Sequence, residues 1–141
     1  MKGFKLTKLE LSILIPPPTD PPLSRPEQLR RFYLIWTLKE AYTKALGLGL
    51  GFDFSRIEYD VPNDVVQIDG LIPHGWEFTR FELQNQANAG HVEDYVGVVA
   101  RFVGDGGTEY EKVRVAPSTP TWLTVYDAVK FLNMAIEELT P

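Results

Sequence analysis

Tyr95-Val96-Gly97-Val98-Val99-Ala100-Arg101-Phe102-Val103, closed by Gly104-Asp105-Gly106-Gly107, is the stretch on which the fold turns. β-Branched and aromatic residues fill the run, and a glycine-rich connection leads from it into residues 108–115. The segment therefore predicts one arm of a hairpin. A helical reading puts His91, Tyr95, Val98, Val99 and Phe102 on one face, but valine density around an internal glycine makes a poor helix. The same signals repeat upstream. Residues 55–61 lead into Pro62-Asn63-Asp64, residues 65–72 into Pro73-His74-Gly75, and residues 76–86 into Ala87-Asn88-Ala89-Gly90. Turn formers at each junction and strand formers between them predict a five-stranded antiparallel meander over residues 54–116.

Outside the meander the chain changes period. Ser24-Arg25-Pro26-Glu27 has the S-x-x-E form of a capping box with proline in the first turn. It predicts a helix running to about Leu46 and ending at Gly47. The middle of that helix, from Phe32 to Leu38, is apolar on most sides, as expected of a helix covered by sheet on one side and by another helix or a second subunit on the other. Gly47-Leu48-Gly49-Leu50-Gly51 follows a helix and precedes no Lys-Ser or Lys-Thr, so it reads as a turn and not as a phosphate loop. A second helix is expected over residues 119–139, with Thr124 and Asp127 as a capping box just inside it and Val125, Val129, Leu132, Ile136 and Leu139 packed into a core. Before the first helix, residues 4–15 alternate, with Leu9, Leu11, Ile13 and Ile15 on one face, which predicts a half-buried strand. Five prolines between residues 16 and 22 then make a stiff connector. The expected fold is α+β: a five- to six-stranded curved antiparallel sheet, in the order strand, helix, five strands, helix, packed against two helices. Residues 1–141 are expected to form a single domain with residues 16–23 as an internal connector.

At 141 residues and 44% hydrophobic content, the chain is too short for two stable domains and too apolar for a disordered regulator. It has no cysteine, which excludes disulfides, thiol catalysis and the common structural zinc sites. No run is apolar and long enough to suggest a membrane span or secretory leader, so a cytoplasmic setting is expected, or the host cytoplasm if the chain is viral. The net charge of −5 is unevenly spread. Residues 1–50 carry eight basic against four acidic side chains, and the remainder six against fifteen. An acidic meander disfavours nucleic acid. A basic region beside it favours association between unlike faces, in a homo-oligomer or with a protein partner.

Two carboxylates on neighbouring strands carry the one catalytic possibility. Asp69 and Glu82, with Gln84 two residues on, could hold Mg2+ through hard oxygen ligands and leave positions for a phosphate and a water. With Glu40 on the first helix, this arrangement resembles the PD-(D/E)XK nuclease family over residues 36–86, with Gln84 where that family has lysine. The resemblance implies a Mg-dependent nuclease in which Glu40, Asp69, Glu82 and Gln84 serve catalysis and Asp69 and Glu82 bind the metal. The preferred expectation is different: a non-enzymatic binding or assembly protein with no catalytic residues, metal or cofactor. On that reading Trp36, Trp76, Gln84, Asn85, Gln86 and His91 form a ligand or interface surface for a protein or small molecule. Seventeen aromatic residues supply anchors of the right kind, and the Gln84-to-Asn88 run supplies uncharged donors and acceptors.

Overall fold

The structure is a computed structural model that describes residues 5–87, 91–104, 113–117 and 127–139. Its described elements run α1 (Lys8–Leu14), α2 (Arg25–Ala45), two short 3-10 turns (Gly49–Gly51 and Phe54–Arg56), β1 (Ile57–Asp60), β2 (Val65–Ile68), β3 (Trp76–Ala87), β4 (His91–Phe102), β5 (Arg114–Val115) and α3 (Ala128–Leu139). The class is α+β as expected, but the sheet is divided. β1 and β2 form an antiparallel hairpin, and β4, β3 and β5 form a second sheet in that order, with β5 parallel to β3. A continuous curved sheet of five or six strands is not formed.

The strand expected over residues 4–15 is a helix. Thr7 caps it, its hydroxyl accepting from the Glu10 amide at 3.2 Å while Glu10 Oε2 accepts from the Thr7 amide at 2.8 Å. This T-x-x-E box fixes helical geometry before side-chain period matters. Glu10, Ile13 and Leu14 then turn inward at helical spacing, whereas Leu9, Leu11 and Ile15, assigned to the core by alternation, are exposed. The proline connector thus joins two helices.

α2 forms where its signals put it, with Ser24 as the cap and proline in the first turn. Leu34, Ile35, Leu38 and Tyr42 on one side pack with Ile57, Tyr59, Val66 and Phe78 from the strands and with Ile13 and Leu14 of α1. This is one core shared by both sheets. The C-terminal helix differs from expectation. Its described part buries no residue, and Val129, Leu132, Ile136 and Leu139 are all more than half exposed. Helical periodicity says that an apolar face exists, not what covers it. Val125 and Thr124 of that expectation, and Trp122, lie outside the described residues.

The deciding stretch is a strand. β3 and β4 pair in register from Trp76↔Phe102 to Ala87↔His91, and Phe81 lies opposite Gly97. A Cβ on Gly97 would sit 2.3 Å from Phe81 Cζ and 2.8 Å from both Cε atoms. The glycine is therefore the seat of an aromatic ring that covers the edge strand from across the pair. Gly97→Ala is expected to destabilise by roughly 1–3 kcal/mol, because the ring must leave its place. Adding Phe81→Leu should recover most of that loss in denaturant melts. A single variant as stable as the parent would refute the contact.

Candidate functional site

On α2, Leu29, Tyr33, Trp36, Glu40 and Lys44 fall within roughly a quarter of the helix circumference at about 3.6 residues per turn. Tyr33 and Trp36 are 52% and 39% exposed. Both rings are steadied from the side by Phe32, whose centroid lies 5.6 Å from Tyr33 and 6.1 Å from Trp36. One turn further on, the Glu40 carboxylate is largely covered, and the exposed Lys44 Nζ stands 3.7 Å from its Oε2. That is a loose pair, longer than the ~2.7–2.9 Å of a charge-assisted hydrogen bond. An aromatic platform, a carboxylate and an ammonium thus follow one another along a single face.

Beneath this face lies the Lys39–Glu10 pair, fully buried on both sides, with Nζ 2.6 Å from Oε2. Lys39 Nζ also donates to the carbonyls of Lys5 and Phe54, each at 3.1 Å. Glu10 Oε1 accepts the Tyr59 amide at 3.0 Å. Burial pushes the Lys39 pKa down, against the Glu10 carboxylate, which holds it up.

Other carboxylates are taken up by arginines. Arg80 binds Asp64 through Nε at 2.9 Å and a terminal nitrogen at 3.3 Å, and Tyr59 donates its hydroxyl to the same Asp64 at 2.8 Å. Burial, reinforced by that hydrogen bond, pushes the Tyr59 pKa far up. Glu82 accepts from Arg30 at 3.2 Å and Arg80 at 3.1 Å, and the Arg30 bond holds its pKa below the usual range. Asp69 is clamped by Arg56 at 2.8 and 2.6 Å, which lowers its pKa in the same way. Arg56 itself lies over the Phe52 ring at 5.0 Å.

The expected metal pair is therefore not assembled. Asp69 sits in the turn after β2, Glu82 in a different sheet, and each is neutralised by its own arginine. Among the described residues no group of three or more His, Asp or Glu could hold a metal ion. The alternative helical reading of His91, Tyr95, Val98, Val99 and Phe102 is also overturned, since β4 is a strand. Gln84 is exposed on β3, and the backbones of Asn85, Gln86 and His91 pair at the far end of the β3–β4 hairpin. Trp76 is partly buried against Tyr42 at 4.7 Å and Phe102 at 5.4 Å, as part of the core. Among the expected surface residues whose side chains are described, Trp36 is the one brought beside Glu40. Lys39, Glu10 and Lys44 were missed by sequence reasoning, although a lysine in the middle of an apolar helix and the T-x-x-E of α1 were there to be read. No helix among the described residues is long and apolar enough to cross a membrane.

Comparison with known proteins changes the functional class. The family profile of the 4'-phosphopantetheinyl transferase superfamily matches residues 6–99, which include α1, α2 and most of the β3–β4 hairpin. A 4'-phosphopantetheinyl transferase of Paxillus involutus is 52% identical over 113 residues, 80% of this chain and 39% of that protein. A phosphopantetheinyl transferase of a Thraustochytrium species is 36% identical over 62 residues, 41% of this chain and 22% of that protein. An L-aminoadipate-semialdehyde dehydrogenase-phosphopantetheinyl transferase of Homo sapiens is 53% identical over 34 residues, 24% of this chain and 11% of that protein. The chain thus spans about two fifths or less of the length of these relatives. No solved structure matches it. A match to a transferase family overturns both the non-enzymatic binding protein and the nuclease. The expectation of no cofactor belonged to the non-enzymatic reading and falls with it.

Proposed function

The chain belongs to the 4'-phosphopantetheinyl transferase superfamily, and we propose that it takes part in moving the phosphopantetheinyl arm of coenzyme A onto a hydroxyl of an acceptor protein. In that reaction the acceptor oxygen forms a bond to the phosphorus that carries pantetheine. The phosphoanhydride bond breaks, adenosine 3',5'-bisphosphate leaves, and the hydroxyl proton is lost to a base. The observation that carries the reading is the α2 face with Trp36, Glu40 and Lys44, inside the matched region. Lys44 suits a pyrophosphate oxygen because its ammonium is exposed and only loosely paired. Trp36 offers a flat apolar surface to the adenine or the pantetheine arm.

Mg2+ bound here would draw charge from the pyrophosphate as the bond breaks. Magnesium is commonly held by one or two carboxylates plus substrate phosphates, so a single hard donor such as Glu40 fits without a larger protein cluster. Asp69 and Glu82 are tied to arginines and are not proposed as ligands. The protein partner expected from the charge pattern is read as the acceptor, and the small ligand as coenzyme A. Self-association through the exposed apolar residues of α2 is a separate proposal, as are the single domain over residues 1–141 and the cytoplasmic setting.

The test is to incubate the purified protein with coenzyme A, Mg2+ and a carrier protein and to weigh the carrier by mass spectrometry. A mass gain of one phosphopantetheinyl group that disappears with EDTA is the expected result. No gain at any Mg2+ concentration, with coenzyme A binding also absent by calorimetry, would sink the reading.

A further inference from the structure

A fully buried ion pair needs a reason. Removing two charges from water is costly, and apolar residues of similar volume often serve stability as well or better. Here the pair touches an unusual number of segments. Lys39 of α2 donates to Glu10 of α1, to the Lys5 carbonyl before α1, and to the Phe54 carbonyl in the turn before β1. Glu10 adds the Thr7 amide and the Tyr59 amide of β1. Each bond has a direction, so the cluster permits one rotation of α2 about its axis, whereas apolar packing alone tolerates small slips. Lys39 immediately precedes Glu40.

We propose that the buried Lys39–Glu10 pair is a positioning device that locks the rotation of α2, and with it the direction in which Trp36, Glu40 and Lys44 leave the helix. The role of that face rests on the functional reading above; the rotational lock itself does not. Lys39 and Glu10 are positioning residues, since nothing reaches them from solvent.

The double variant Lys39→Met/Glu10→Gln tests this. It removes both charges while keeping side-chain size, and the introduced glutamine amide can still accept one backbone N–H and donate to a carbonyl, which keeps part of the buried polar network satisfied. Three readouts are taken: kcat and KM for coenzyme A in the transfer assay, coenzyme A affinity by calorimetry, and 1H–15N NMR spectra of residues 36–44. Val66→Ala, a buried substitution on β2 away from α2's exposed face, is the control for stability loss alone. The double variant is expected to melt cooperatively, to lose at least about tenfold in kcat, and to shift or broaden the amide signals of residues 36–44. Val66→Ala should leave all three unchanged. Unchanged kcat together with unchanged amide signals in the double variant would overturn the proposal. So would Val66→Ala reproducing the same losses, which would make the effect one of stability. Should the double variant fail to fold, Glu10→Gln alone, which retains Lys39 and both carbonyl bonds, is read by the same three measurements and the same criteria. If the parent protein neither binds coenzyme A nor transfers, the functional reading falls, and the NMR arm still decides the rotational lock.

Discussion

Glu40→Gln is expected to lower phosphopantetheinyl transfer by roughly a hundredfold or more, the size of effect that follows loss of one well-placed charged group at a transferring phosphoryl centre. The substitution keeps the volume of a largely covered side chain, so packing on α2 is preserved. What it removes is one negative charge and one hard oxygen donor. The Glu40–Lys44 pair lost with it lies one turn apart on the helix surface and is worth only about 0.3–0.5 kcal/mol, so the melting temperature should move little. The expected pattern is therefore a large fall in kcat, a right-shifted Mg2+ dependence and near-parental stability. A loss of only a few fold with unchanged Mg2+ dependence would remove Glu40 from the metal and leave the α2 face as a binding surface. Asp69→Asn provides the contrast. Its carboxylate is occupied by Arg56 on an exposed turn, and transfer should persist.

The elements with strong local chemistry were legible in the sequence: α2 in its cap and its terminal glycine, β4 as a strand in its valine density, and the turn at Pro62-Asn63-Asp64 in its residue types. The hairpin expected between residues 95–103 and 108–115 was not, since Arg114–Val115 pairs with β3 and not with β4. α1 was not, because Leu9, Leu11, Ile13 and Ile15 satisfy a two-residue period while Glu10, Ile13 and Leu14 satisfy a helical one. Seven residues are too few for side-chain spacing to choose, and Thr7 with Glu10 chooses instead. The β5 pairing was invisible for another reason: a two-residue parallel strand is set by where the chain returns, not by its own composition. Asp69 and Glu82 stand out as carboxylates in suggestive positions, yet charge partners decide what a carboxylate is free to do, and the pairing of Glu82 with Arg30, 52 residues away, has no local signal in the sequence. The same contact reinterprets the charge division. Arg30, in the basic third, meets Glu82, in the acidic meander, within one chain. Part of the complementarity that suggested association between copies is already used inside the fold.

Leu38→Ala carries the largest expected loss of stability, about 2–5 kcal/mol. Leu38 is wholly buried, on the side of α2 away from the exposed face, in the cluster with Leu34, Ile35, Ile57 and Tyr59. Its removal leaves a hole in the core that α2 shares with the strands. The walls cannot collapse freely, because the neighbouring Lys39 holds α2 at a fixed rotation through three directed bonds. Net stabilities of domains run to about 5–15 kcal/mol, so a loss of this size consumes a large share of the total. The urea midpoint should fall with the slope of the transition unchanged, which marks lost packing and not an altered unfolded state. Leu29→Ala, half exposed on the same helix, should cost less than about 1 kcal/mol. Equal losses at the two positions would mean that the exposed stripe of α2 is covered in solution. A small loss at Leu38 alone would mean that α2 can rotate or shift to fill the gap, which the buried pair beside it is expected to prevent.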